Sequence, residues 1–300
     1  MSIRLYNIAK ETFEEEKVPA ESFMRFLYGN PAGSMLLWGV FKRAFLSRLG
    51  GVWANSKMSR KKVASFIANN GIDVNEMLYS PENFKTFNDF FTRALSKTAR
   101  PVASPENDAA VSFPSDGRHM LIENVSSADA FYVKGQKFDL AKFLGDESLA
   151  RRFHGGGMLI SRLSPVDYHR FHYPVSGQIA ARKLINGALF SVSPIALIPR
   201  ISVFWENKRV LNLIESPSLG MCAFVEIGAT NVGTIENFDA PGSDVKRGSP
   251  AGLFRLGASC VVTLIPASSK IAWNEKLVQM SRQQIECYAK VGTLAGILSR

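Results

Sequence analysis

Four short clusters in this chain of 300 residues hold the side chains best suited to chemistry. The first is Pro114-Ser115-Asp116-Gly117, which sets a carboxylate beside a hydroxyl. Read alone, it is a turn in which Asp116 bonds its own backbone. The second is Asp167-Tyr168-His169-Arg170-Phe171-His172-Tyr173-Pro174, where two of the chain's four histidines stand three apart. On a helix that spacing would face one metal ion, but the segment is aromatic-rich, ends at proline and has no Cys/His pair nearby, so no metal is expected. A structural turn and acid–base chemistry in the range of imidazole are the remaining readings. His119 and His154 lack such a setting and read as incidental. The third cluster, Glu226-Ile227-Gly228-Ala229-Thr230-Asn231-Val232-Gly233, lacks the spacing of a phosphate loop or a dinucleotide fingerprint and reads as a strand entering a tight turn. The fourth runs from Gly248 to Cys260 and leads straight into a strand that looks buried. Small residues there ordinarily mark a turn or a bulge.

These clusters need a scaffold. From about residue 108, short β-rich runs alternate with Gly, Pro, Asn and Asp, as at 158–162, 178–184, 188–192, 222–228 and 260–265. That texture predicts a compact β core with short helical insertions. Residues 1 to about 100 read as mostly helical. Leu36, Leu37, Val40, Phe41, Ala44, Phe45 and Leu49 recur at helical spacing, with Lys42, Arg43 and Arg48 between them, and Gly50-Gly51 is expected to end that helix. A second helix is expected over 61–69, and 84–95 carries aromatics on one side. Such stripes suit either packing on a core or a membrane surface with Lys and Arg at the headgroups. The final stretch, 275–298, also reads as helical. The expected fold is α+β: an N-terminal helical, membrane-facing region over 1–100 and a catalytic β-rich core over 101–300.

The net charge of +10 suits an anionic partner. No basic run with interleaved aromatics is present, so nucleic acid is not the expected one. Cys222, Cys260 and Cys287 form no CxxC pair, which argues against a disulfide framework or a zinc site and for a reducing compartment. The N-terminus is acidic and resembles neither a secretory nor a transit signal. The longest early apolar run, 35–41, is far short of the roughly 20 residues that span a bilayer. The chain is expected to touch a membrane without crossing it.

Together and in this order, the four clusters resemble the signature of the phosphatidylserine decarboxylases. The resemblance runs from about Phe84 to Gly292 and takes in the FNDFFTR run at 87–93, Val133-Lys134-Gly135, Asn186-Gly187 and Glu286, while the first 80 residues match poorly. In that family a Gly-Ser pair is the self-cleavage site, and a longer form reads roughly Phe-x-Phe-Gly-Gly-Ser-Thr before an apolar strand. Phe254-Arg255-Leu256-Gly257-Ala258-Ser259-Cys260 aligns with it without a gap, so Ser259 takes the pyruvoyl-forming position. A shorter form, Leu-Gly-Ser-Thr, would put Ala258 there. Ser259 is favoured because 260–265 then stays in register with the family's strand.

The resemblance implies an Asp116–His172–Ser259 arrangement for self-processing. His172 would take the serine proton, Asp116 would orient and stabilise the imidazolium, and Ser259 would attack the carbonyl of Ala258. The ester formed would eliminate and hydrolyse to a pyruvoyl group, dividing the proenzyme into chains 1–258 and 259–300. The pyruvoyl group would serve as the electron sink for loss of CO2 from phosphatidylserine, giving phosphatidylethanolamine. His169 would bind the substrate carboxylate or assist protonation. Peripheral association with an anionic membrane at its cytoplasmic face and a homodimer are also implied. Three residues depart from the pattern: Ala258 stands for glycine, Cys260 for threonine and Pro250 for glutamate. A β-carbon at 258 costs roughly 1–2 kcal/mol where the backbone needs φ > 0. The alternative reading is a processing-deficient, non-enzymatic lipid-binding relative.

Overall fold

The run 259–265 (SCVVTLI) is apolar on both of its alternating faces, and such a strand belongs in the middle of a sheet covered on both sides. The computed structural model describes residues 3–16, 21–30, 50–126, 138–229, 234–257 and 259–299. In chain order the named elements are β1 (Ile3–Asn7), β2 (Thr12–Glu16), α1 (Glu21–Gly29), α2 (Lys61–Asn70), α3 (Phe87–Phe91), β3 (Ala110–Ser112), β4 (Gly117–Ile122), α4 (Leu140–Leu144), α5 (Glu147–Arg152), β5 (Gly157–Leu163), β6 (Arg170–His172) and β7 (Gly177–Ile185). They continue with α6 (Pro194–Leu197), α7 (Val203–Glu206), β8 (Arg209–Ser216), β9 (Gly220–Ile227), β10 (Ile235–Asn237), β11 (Asp244–Val245), β12 (Pro250–Phe254), β13 (Ser259–Ile265), β14 (Ile271–Trp273), α8 (Glu275–Arg282), β15 (Glu286–Ala289) and β16 (Leu294–Leu298).

The main sheet runs β11-β7-β8-β9-β13-β5-β4-β15-β1-β2, with β13 near its centre. One face carries Ile160, Cys260 and Val262 against Tyr28, Phe143 and Phe204. The other carries Leu159, Val261 and Ile265 against Phe171, Phe254 and Leu277. Two three-stranded sheets, β10-β12-β6 and β14-β16-β3, supply much of that second cover. The sheet class is α+β with a large β core, as expected. Helix α2 forms where expected and ends at Gly71, whose φ of 60° suits a residue without a β-carbon. Its Val63 joins Phe84, Phe87, Phe90 and Phe91 in a separate aromatic core.

Several expectations are corrected. Residues 3–16 are not helical: β1 pairs with β2 and, in parallel, with β15, so this hairpin completes the core sheet. The membrane-facing helix expected around 36–49 lies outside the described residues. Residues 50–54 are helical, so Gly50-Gly51 does not end a helix there. The run 188–192 is a buried non-strand segment; the Asn207 amide accepts from Phe190 N and donates to Phe190 O, replacing a ladder partner. Only the start of 275–298 is helical, because Gln284 (φ 60°) and Gly292 (φ 85°) reverse the chain and release β15 and β16.

The hairpin is tied in by charge. Glu16, at the end of β2, forms a two-pronged contact with Arg162 on β5, at 3.1 and 2.6 Å. The same guanidinium bonds Glu286 on β15 at 3.1 and 2.6 Å. Glu16 also pairs with Arg118 on β4 at 3.0 Å, and Arg118 reaches on to Asp167. All five side chains are buried. Glu16→Ala would leave two cations short of a counter-charge and is expected to cost about 3–5 kcal/mol by urea denaturation. Glu14→Ala, which removes the surface Lys10 pair and a hydrogen bond from the Asn7 side chain, is expected to cost about 1 kcal/mol.

Candidate active site

Strand direction gathers all four clusters at one end of the sheet, where β9 also ends, with Ile227 opposite Cys260. Strand β13 begins where β5 ends, with Ser259 opposite Leu163, and β4 begins beside the same end of β5, with Arg118 opposite Arg162. The Asp116 turn, the 164–169 turn and Ser259 therefore share that end. Gly117 is required at the join, because a β-carbon there would lie 2.4 Å from the carbonyl oxygen of Arg162. Past β5 the chain passes through Asp167 and His169 into β6, whose partner β12 runs back through Gly257 to Ser259.

The 164–169 turn is built around a buried carboxylate. Asp167 accepts from the Ser164 backbone N–H at 2.7 Å and from Arg118. Burial pushes its carboxyl up to about 6 against the pull of Arg118. The Asp167 carbonyl accepts from His169 Nδ1 at 3.0 Å, which assigns the proton of the neutral imidazole to Nδ1 and leaves Nε2 as its lone-pair nitrogen. That Nε2 is buried without a partner. The ring stacks on Phe91 at 3.9 Å between centroids, and the Gly257 backbone faces it closely enough to favour its charged form. Complete burial still dominates and holds the imidazole down at about 3. Among the described residues Ser259 Oγ is likewise buried with no partner, at the first residue of β13.

His172 is held differently. Its Nδ1 donates to the Gly248 carbonyl at 2.8 Å, and its Nε2 lies 3.4 Å from the Tyr168 hydroxyl. Burial lowers its pKa, while the Gly248 carbonyl and the charge of Asp116 oppose that shift. Asp116 makes no direct hydrogen bond to His172 among the described residues. Asp116 is instead held by Arg100, whose Nε lies 2.9 and 3.0 Å from its two oxygens, and by the Val291 backbone N–H at 2.9 Å. Arg100 is fixed in turn by Glu76 at 2.9 Å. Asp116 thus acts on His172 through space.

Ala258 and Thr230–Gly233 lie outside the described residues. Glu226 faces Asn212 at 2.7 Å under the small sheet, and burial pushes its carboxyl up to about 8. His119, read as incidental, is fully buried between Ser161 (2.8 Å) and the Phe113 ring. Sequence reasoning missed Arg100 and the ion chain of Glu16, Arg118 and Arg162, because nothing local links residues so far apart. Arg93 was visible only as the last residue of the FNDFFTR run. Among the described residues, no group of three or more His, Cys, Asp or Glu could hold a metal ion.

Comparison with known proteins bears on this geometry. A family model described as phosphatidylserine decarboxylase matches residues 87–292. The chain is 37% identical over 281 residues to a phosphatidylserine decarboxylase proenzyme of Fusobacterium nucleatum subsp. nucleatum, covering 94% of this chain and 93% of that one. It is 35% identical over 294 residues to the proenzyme of the same name from Clostridium novyi, covering 98% and 99%. A Chlamydia trachomatis serovar L2 proenzyme of that name is 36% identical over 283 residues, covering 94% and 93%. The similarity therefore extends into the first 80 residues, where a poor match was expected.

Burial of His119 and His169 sets an expectation for solution. Their ring protons are expected to show no titration between about pH 5 and 8 by NMR, where free imidazole changes charge.

Proposed function

The chain belongs to the phosphatidylserine decarboxylase family, and from that premise we propose that it cuts itself between Ala258 and Ser259 and decarboxylates phosphatidylserine to phosphatidylethanolamine. The observation that carries this reading is Ser259. Among the described residues its hydroxyl stands buried and unpartnered at the head of the central strand, two residues after the Gly257 backbone that faces His169. A serine destined to become a pyruvoyl group fits there, since no native hydrogen bond is lost when Oγ leaves the chain. That group supplies the electron sink when CO2 departs.

His172 is the better processing base of the two imidazoles. His169, held at about 3, binds a proton too weakly to draw one from a hydroxyl. His172 is less isolated, because Asp116 favours its imidazolium and Arg100 holds Asp116 in place. In the step proposed, Ser259 Oγ bonds to the Ala258 carbonyl carbon as His172 Nε2 takes its proton. That proton returns to the Ser259 nitrogen as the peptide C–N bond breaks. Tyr168 faces His172 Nε2 as a neutral donor, its phenol pushed up to about 12 by burial. The adjacent thiol does not compete. Cys260 points to the opposite face of the sheet, and complete burial pushes its thiol well up, away from the reactive thiolate. His169 Nε2, a lone-pair nitrogen, is left to accept a hydrogen bond from the substrate.

Cleavage need not separate the pieces. Strand β13 stays paired with both β5 and β9, and β15 with β1 and β4. The 259–300 chain therefore remains part of the sheet.

We place the protein at a membrane surface. Val52, Trp53 and Met58 are exposed next to Lys57, Arg60, Lys61 and Lys62, a combination suited to anionic lipid. Each basic residue there contributes on the order of 1 kcal/mol. Among the described residues, no helix is long and apolar enough to cross a membrane.

Denaturing mass spectrometry of the purified protein is expected to show fragments 1–258 and 259–300, the second lacking a free amine. Ser259→Ala should give one uncut chain, and the processed enzyme should release CO2 from phosphatidylserine. An uncut wild-type chain after prolonged incubation would sink the proposal. His172→Ala is expected to slow cutting by roughly 100-fold or more. Because burial lowers the pKa of His172, wild-type cutting should lose its rate at a lower pH than the titration of a free imidazole would dictate. Trp53→Glu with Met58→Glu should reduce sedimentation with phosphatidylserine vesicles while leaving self-cleavage intact.

A further inference from the structure

Arg93 is a cation with too few partners. It follows α3 and is buried, 6% exposed, with its guanidinium 4.9 Å from the centre of the Phe90 ring. Its one hydrogen bond among the described residues runs from Nη2 to the Asp167 carbonyl at 3.5 Å, and its Nε is buried without any. Asp116 and Asp167 are near enough to favour its charge, yet each carboxylate is held by another arginine, Arg100 and Arg118 respectively. Burial accordingly lowers its pKa, against the usual behaviour of an ion-paired arginine. A buried guanidinium left in this state is costly unless an anion arrives to meet it.

Its position says where the anion must be. Arg93 lies close enough to His169 to disfavour that imidazole's charge, and Phe91, two residues earlier, stacks on the His169 ring. The guanidinium therefore lies beside His169, whose ring also faces the Gly257 backbone two residues before Ser259. On the reading that phosphatidylserine reacts at Ser259, two anionic groups could meet the guanidinium: the serine carboxylate and the phosphodiester. The carboxylate loses its charge as CO2 leaves, so a cation on it would stabilise the ground state over the transition state and oppose the reaction. The phosphodiester keeps its charge throughout and lies three bonds from the reacting carbon. Its two free oxygens also match the planar fork of arginine.

We infer that Arg93 binds the phosphodiester of the substrate headgroup and so makes the enzyme select a phospholipid over a simple serine derivative. The inference rests on the proposed decarboxylase activity, and the two can fail separately.

The experiment compares wild type, Arg93→Gln and Arg93→Lys in detergent micelles. Self-cleavage is followed by mass, turnover of phosphatidylserine and of O-octyl-L-serine (amine and carboxylate but no phosphorus) by CO2 release, and inhibition by phosphatidylethanolamine (phosphodiester but no carboxylate) by its Ki. Arg93→Gln should self-cleave normally. Its KM for phosphatidylserine and its Ki for phosphatidylethanolamine should both rise roughly 10- to 100-fold, as for a lost hydrogen bond to a charged group. Its turnover of O-octyl-L-serine should stay at the wild-type level, and Arg93→Lys should fall between. An unchanged Ki for phosphatidylethanolamine, or a parallel loss on both substrates, would overturn the phosphodiester assignment. Failure of both variants to self-cleave would overturn it too, since cutting precedes any substrate. Wild type that releases no CO2 from phosphatidylserine would remove the activity itself and this inference with it.

Discussion

Two arginines that cannot leave the interior organise this molecule. Arg162 and Arg118 sit side by side on β5 and β4, buried in the middle of the sheet, and each must be met by carboxylates wherever the chain can bring them. Glu16 arrives from the N-terminal hairpin, Glu286 from β15 and Asp167 from the turn after β5. Interior charges are tolerated only when paired and hydrogen-bonded, so these contacts are enforced by desolvation rather than by the small net gain of an ion pair. The consequence reaches the chemistry, because the Asp167 that neutralises Arg118 is also the residue whose carbonyl sets the tautomer of His169.

The two imidazoles on β6 and its approach illustrate how one short segment can serve two tasks. His169 is sealed under Phe91 and stays neutral, a poor base but a well-placed hydrogen-bonding nitrogen beside the segment that leads to Ser259. His172 keeps an anionic neighbour at a distance and a tyrosine in front of its lone pair. The difference comes from what lies across from each ring, since both histidines use Nδ1 to hold a backbone carbonyl. Holding Asp116 on Arg100 rather than on His172 separates orientation from electrostatics: Gly248 orients the ring and Asp116 supplies the field.

The departures from the family pattern read differently in three dimensions. Pro250 opens β12, a position where a strand tolerates a missing N–H, and a register shift follows at once. Cys260 takes an interior site on the first face of the sheet, among apolar side chains where a hydroxyl would need a partner. Gly257 has φ 139°, a conformation open to glycine, so the permissive residue sits one place before Ala258.

Sequence alone supplied the candidate chemistry-bearing set. Asp116, His169, His172 and Ser259 are recognisable because each lies in a compact local motif, and the α+β class is legible because apolar strands alternate with turn residues over most of the chain. The central place of β13 follows from its two-sided apolar pattern. What sequence could not determine is everything that depends on pairs far apart in the chain. The N-terminal hairpin reads as part of a helical region until β15 accepts it in parallel, and the last strands read as helix until Gln284 and Gly292 turn the chain. Arg100, Arg93 and the Glu16 ion chain are single charged residues in unremarkable surroundings, and only folding buries Arg93 and the ion chain and half-buries Arg100. Local propensity is a property of neighbours in sequence, whereas the desolvation of a charge is a property of neighbours in space; the tertiary structure alone decided which carboxylate each arginine would hold.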